Sequence, residues 1–200
     1  MRFKSSLVAI LFLVLLAAPA GASNWSLGAN LGFALLSPTA SNSKSTTAFA
    51  WPNQAPIPGL RVGFTGQNPQ HEIFFDTALL LTSQKDRGST RDFTATANYQ
   101  YNFTSSGSVA PFVTFGGGLV LTGLKDETVN PTFDISASSA IFGGGVGIRH
   151  KMGNGHGTLR AEARFDRITE GKDTVSGVEY TLIPETNAFQ VKLGFDLWDK

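Results

Sequence analysis

The chain has 200 residues, no cysteine, 22 glycines and a formal charge of +1. Without cysteines its stability has to rest on burial and hydrogen bonding rather than on disulfides. A near-neutral chain with no basic stripe has nothing with which to neutralise phosphates, so no nucleic-acid partner is expected.

The N-terminus carries Arg2 and Lys4, then the apolar run Leu7 to Leu16, then Ala17-Ala-Pro-Ala20-Gly-Ala22. This is the charged, apolar and small-residue order of an export signal, with cleavage expected after Ala22. The apolar run is shorter than the ~20 residues a helix needs to span a bilayer. The absence of a cysteine after it excludes a lipoprotein anchor. The expected organisation is therefore a signal at 1–22 and a single domain at 23–200. Losing Arg2 and Lys4 takes the formal charge from +1 to −1.

Eight stretches then alternate apolar and polar residues with period two, the signature of strands with one greasy and one wet face. Trp25 to Leu35 opens the series. GLRVGFTG sets Leu60, Val62 and Phe64 against Arg61, Gly63 and Thr65. EIFFDTALLL sets Ile73, Phe75, Thr77, Leu79 and Leu81 against Glu72, Phe74, Asp76, Ala78 and Leu80. FTATANYQYNF is the cleanest, with Phe93 to Phe103 on the odd positions and Thr94 to Asn102 on the even ones. PFVTFGGGLVL and AIFGGGVGIRHK follow, each with a glycine run in its interior. LRAEARFDR opposes Leu159, Ala161, Ala163 and Phe165 to Arg160, Glu162, Arg164 and Asp166. The last stretch, FQVKLGFDLW, opposes Phe189, Val191, Leu193, Phe195 and Leu197 to Gln190, Lys192, Gly194, Asp196 and Trp198.

The connections alternate long and short. Long ones run over Ser37 to Pro58, Thr82 to Arg91, Thr122 to Ser138 and Thr169 to Asn187; short ones carry Asn68-Pro69, Ser105-Ser-Gly107 and Asn154-Gly-His156. Even strand number with this asymmetry predicts an eight-stranded antiparallel transmembrane up-and-down β-barrel, all-β, with both termini on the short-turn, periplasmic side.

The wet phase holds Arg61, Arg149, Arg160, Arg164 and Lys192, matched in number by Glu72, Asp76, Glu162, Asp166 and Asp196. An arginine or lysine facing lipid at mid-bilayer costs about 2–4 kcal/mol. Five of them must therefore face inward, where paired charges are tolerable. Symmetry about the Asn68 turn predicts Arg61 opposite Asp76, and around the Asn154 turn Glu162 is the expected partner of Arg149. Phe74, Leu80, Phe112, Val120 and Ile141 share this phase and read as filler, and the glycines at 116, 118, 143, 145 and 147 as space for long arginines. Trp25, Phe64, Phe75, Tyr101, Phe103, Phe195 and Trp198 gather near the short-turn ends and read as a periplasmic aromatic girdle.

On APFVTFGGGL, AIFGGGVGIRHK, LRAEARFDR and FQVKLGFDLW the chain resembles the small outer-membrane barrels of the OmpA/OmpX type, including opacity-like proteins of the porin family. The resemblance implies a Gram-negative outer membrane, contact with its lipids, and insertion by the outer-membrane assembly machinery. Members usually finish on an aromatic residue, whereas Asp199 and Lys200 follow Trp198 here.

Chemistry is sparse. A lipid-A-modifying barrel enzyme needs a His beside a Ser near the outer leaflet, but His71, His150 and His156 all fall at short turns. No metal-ligand spacing or phosphate loop is present, so no catalytic residue, cofactor or metal is expected. A soluble eight-stranded carrier would enclose its aliphatics, the opposite of this pattern. The expected function is a structural or surface-interaction role carried by the external loops, with a narrow pore or transporter of small apolar molecules, as in OmpW-type barrels, as the alternative.

Overall fold

The computed structural model describes residues 24–39, 57–84, 88–104, 107–126, 128, 133–153, 156–175 and 177–199. The expected signal at 1–22 and most of the Ser37 to Pro58 loop lie outside them.

Ten strands form: β1 (Asn24–Pro38), β2 (Ile57–Thr65), β3 (His71–Gln84), β4 (Gly88–Asn102), β5 (Val109–Asp126), β6 (Phe133–Lys151), β7 (Gly157–Ile168), β8 (Gly171–Val175), β9 (Val178–Ile183) and β10 (Thr186–Trp198). Eight of them close a barrel in the order β1-β10-β7-β6-β5-β4-β3-β2, and every pair in it is antiparallel. Closure satisfies each strand's backbone within the wall, which a bilayer demands because its interior offers no water to an open edge. β8 and β9 form a separate two-stranded hairpin between β7 and β10. The alternation pattern marks that stretch only as a connection; its five- and six-residue strands are too short for the alternation to stand out.

The barrel is inside-out relative to a soluble protein. Leu31, Leu60, Leu79, Phe115, Val146, Phe165 and Leu193 each expose about half or more of their surface, while Arg61, Glu72, Gln100, Asn102 and Asp166 are fully buried. An apolar surface of this extent marks contact with lipid. Several strands outrun the 9–11 residues that cross a bilayer at about 45°. β5 has 18 residues and β6 has 19, and the excess lies at the long-loop end.

The glycine runs have a different purpose from the one expected. A Cβ on Gly118 would stand 1.9 Å from the Ala95 carbonyl oxygen, and one on Gly143 would stand 2.1 Å from that of Phe165. These glycines let neighbouring strands approach closely. At Gly147 the space is taken by the Phe112 ring, and the glycine that does make room for an arginine is Gly194, beside Arg160.

Candidate functional site: the lumen and its two mouths

Because side chains alternate, each inward residue is fixed by the register of its strand. All ten charged residues picked out by the alternation project into the lumen, and all except Lys192 are buried. Near the short-turn end, Arg61 donates from Nη2 to Glu72 Oε1 (2.5 Å) and Gln100 Oε1 (2.9 Å). Its guanidinium carbon stands 3.4 Å from the centre of the Phe74 ring, a close cation–π contact. Arg160 forks onto Asp196 (2.9 and 3.3 Å). Farther up, Arg164 Nε donates to Asp166 (2.8 Å), and Glu162 accepts from Thr114 Oγ1 (2.7 Å) with Arg160 and Arg164 at 3.7 and 3.8 Å. Two contacts reach farthest across the lumen, between strands three apart in the wall: Lys192 to Asp76 (3.3 Å) and Arg149 to Glu72 (3.4 Å).

Arg61 does stand opposite Asp76 in the β2–β3 register, yet its ion pair is with Glu72. Arg149 departs further. The β6–β7 register sets it against Arg160 and sets Gly147 against Glu162, so Arg149 turns across the lumen to Glu72. Turn symmetry predicts backbone neighbours but not the reach of a long side chain to a third strand.

Of the seven aromatics, Trp25, Phe64, Tyr101, Phe103 and Phe195 lie on the outer face, partly or well exposed. Phe75 is also in the outward phase but is covered, with its ring meeting Phe64 edge-on at 6.4 Å. Trp198 falls in the inward phase and lines the short-turn mouth. Composition alone could not separate these cases. Tyr101 and Phe103 also belong to a wider ring set, whose other members escape the sequence reading: with His71, Tyr99 and Phe115 they form a chain of contacts at 5.0 to 5.9 Å. It is dispersed over three strands, so no local motif announces it.

At the long-loop end the lumen changes character. Ala34, Ile57, Val120, Ile141, Ile168 and Ala188 point inward, and Leu182 and Ile183 of the β9 end pack onto them. The hairpin also leans on the extension of β6, where the Ser136 N–H donates to Asp173 Oδ2 (3.0 Å). On its surface Lys172 bridges Glu179 (2.9 Å) and Glu170 (3.4 Å), and hydrogen bonds to these carboxylates hold its ammonium above the usual lysine range. Between the polar and apolar layers only about 30 Å³ of cavity remains, bordered by Asn30, Asp76, Arg164 and Lys192.

A closed eight-stranded barrel with a greasy exterior and an ion-paired interior defines an integral outer-membrane protein. The chain belongs to the outer membrane protein beta-barrel domain family, whose model matches residues 6–196. Its fold is similar to that of a major outer membrane protein from Thermus thermophilus, at 13% identity and a TM-score of 0.58 over 88% of this chain and 98% of that one. It is likewise similar to Neisserial surface protein A, at 13% identity and a TM-score of 0.55 over 86% and 96%. A third similar fold is Ail, the attachment invasion locus protein of Yersinia pestis, at 9% identity and a TM-score of 0.50 over 88% and 98%. No curated protein matches the chain.

Proposed function

We propose that this is a non-conducting, non-catalytic outer-membrane barrel that acts through its long-loop end as a surface-interaction module. In this reading an export signal at 1–22 is removed, the assembly machinery inserts the chain, and both termini stay in the periplasm of a Gram-negative cell. One observation carries it. The lumen is filled twice over, by a cross-linked ion-pair layer and by an apolar layer, with a cavity of only about 30 Å³ between the two. A protein with no route through its centre works with its ends, and loops held on a rigid scaffold are the usual place for recognition. The docked β8–β9 hairpin adds to this: it is an ordered platform at the mouth rather than a bare connection. Attachment, which names the similarly folded Ail, is a role of this type.

Two measurements test the reading. Reconstitution into a planar bilayer is expected to give no steady conductance, and a stable open channel would overturn it in favour of a narrow pore. Because the chain has no cysteine, single cysteines report topology cleanly. In intact cells, Thr174→Cys in the hairpin is expected to label with an impermeant maleimide and Ser108→Cys at a short turn is not. The reverse pattern inverts the orientation.

A further inference from the structure

The opposite, short-turn mouth holds a site of another kind, and its reading does not depend on the function of the loops. Asn24, Thr65, Arg149, Lys151, Thr158 and Trp198, from β1, β2, β6, β7 and β10, enclose a cavity of about 90 Å³. Among the described residues lining it there is no carboxylate. Arg149 and Lys151 lie two apart on one strand and so share its inner face.

The anions around this cavity are shared unevenly. Arg61, Arg149 and Arg160 fill the lowest layer of the lumen, with Glu72 and Asp196 as its carboxylates and Glu162 of the next layer 3.7 Å from Arg160. Asp196 is forked onto Arg160. Glu72 accepts from Arg61 at 2.5 Å and from Gln100 at 3.3 Å before it meets Arg149, at 3.4 Å. Arg149 therefore has the weakest share of any anion, although it is only 4% exposed and stands directly across the register from the like charge of Arg160. Its Nε is buried with no hydrogen-bond partner. An unmade donor on a buried cation is costly, and like charges placed opposite one another on a sheet repel.

We infer that this mouth binds a small tetrahedral oxyanion of the phosphate type, held by Arg149 and Lys151. A guanidinium presents a planar fork of donors that matches paired oxygens and not a halide. The cavity has room for a few water-sized groups, the scale of one such ion and not of a nucleotide. The oxyanion gives Arg149 the acceptor that its buried Nε lacks. It can come from free phosphate or from the phosphate of a lipid headgroup at the rim where Trp198 sits.

The test is a titration of the ¹⁵N-labelled full barrel, folded in non-ionic detergent, with inorganic phosphate against chloride at matched ionic strength. Expected are saturable shifts at the Arg149 Nε–H and at the Lys151 and Thr158 amides. Lys151→Gln should weaken binding about tenfold, the loss of one charge-assisted bond. Arg91→Gln, at the other end, should leave it unchanged. Non-saturating shifts, equal shifts with chloride, or wild-type affinity in Lys151→Gln would each overturn the site. Repeating the titration in phosphatidylglycerol nanodiscs separates the sources. If the bound-state shifts are already present and phosphate adds nothing, the lipid phosphate is the ligand; if the phosphate response persists, the free ion is.

Discussion

Glu72 shows how much one buried residue can organise. It accepts from Arg61, Gln100 and Arg149, which come from three different strands. Removing its charge strands two guanidinia, and breaking a buried pair from one side costs about 3–5 kcal/mol. Glu72→Gln should therefore lower the urea stability of the refolded barrel by that order, read from the transition between folded and unfolded gel mobility. Asp92 is the instructive contrast. It is 3% exposed and accepts from Thr122 Oγ1 at 2.8 Å, with no cation bridging it among the described residues. Asp92→Asn keeps an acceptor for Thr122 and removes an uncompensated charge, so the same assay should show no loss and a gain of about 1 kcal/mol or less. If both substitutions cost the same, the carboxylates contribute through packing and not through pairing.

Among the elements, the β8–β9 hairpin is the one whose attachment can be tested without disturbing the wall. Leu182 and Ile183 are its buried contacts with the barrel. Truncating a buried Leu or Ile to Ala costs about 2–5 kcal/mol. Leu182→Ala combined with Ile183→Ala should free the hairpin, so that limited trypsin cuts at Lys172 while the barrel fragments stay resistant. The Lys172 clip should not confuse that assay. Its raised pKa means the bridge contributes fully below the ordinary lysine value of 10.5 and is lost only as pH rises through the higher folded value. Protection between neutral and mildly alkaline pH should therefore be flat.

This element also marks the limit of what the sequence discloses. Period-two alternation identifies the eight wall strands and the inward set of charges, because a buried wet face against a lipid-facing greasy one leaves a strong, local signature. It is silent on β8 and β9, which have only five and six residues and are too short for an alternation to mark. It is silent too on Arg149 with Glu72, because a contact across the lumen joins residues 77 apart through side-chain reach and not through backbone pairing. The apolar layer is visible only as the impurities Val120 and Ile141 in a polar phase. Its partners Leu182 and Ile183 arrive from a connection that gives no strand signal.

At the scale of the whole molecule, the greasy face of the barrel meets acyl chains. Leu31 faces outward between Leu193 and Pro58, well inside the wall, whereas Leu197 lies close to the short-turn rim. Depth then sets the cost of a charge, about 2–4 kcal/mol at the midplane and about 0–1 kcal/mol near the interface. Leu31→Arg should destabilise the barrel in lipid vesicles by the larger amount and Leu197→Arg by the smaller, measured by equilibrium refolding. Equal penalties would mean that neither position senses a bilayer.

The unequal strand lengths have a consequence for approach from outside. β5 and β6 run 18 and 19 residues, against 12 and 13 for β7 and β10, and the surplus stands at the end where the hairpin leans. The barrel therefore wears a one-sided parapet. In the proposed orientation, with the long loops outside, whatever docks from the exterior touches that ridge first and comes to rest off the cylinder axis, so neighbouring copies facing different ways would present it at different angles across the cell surface.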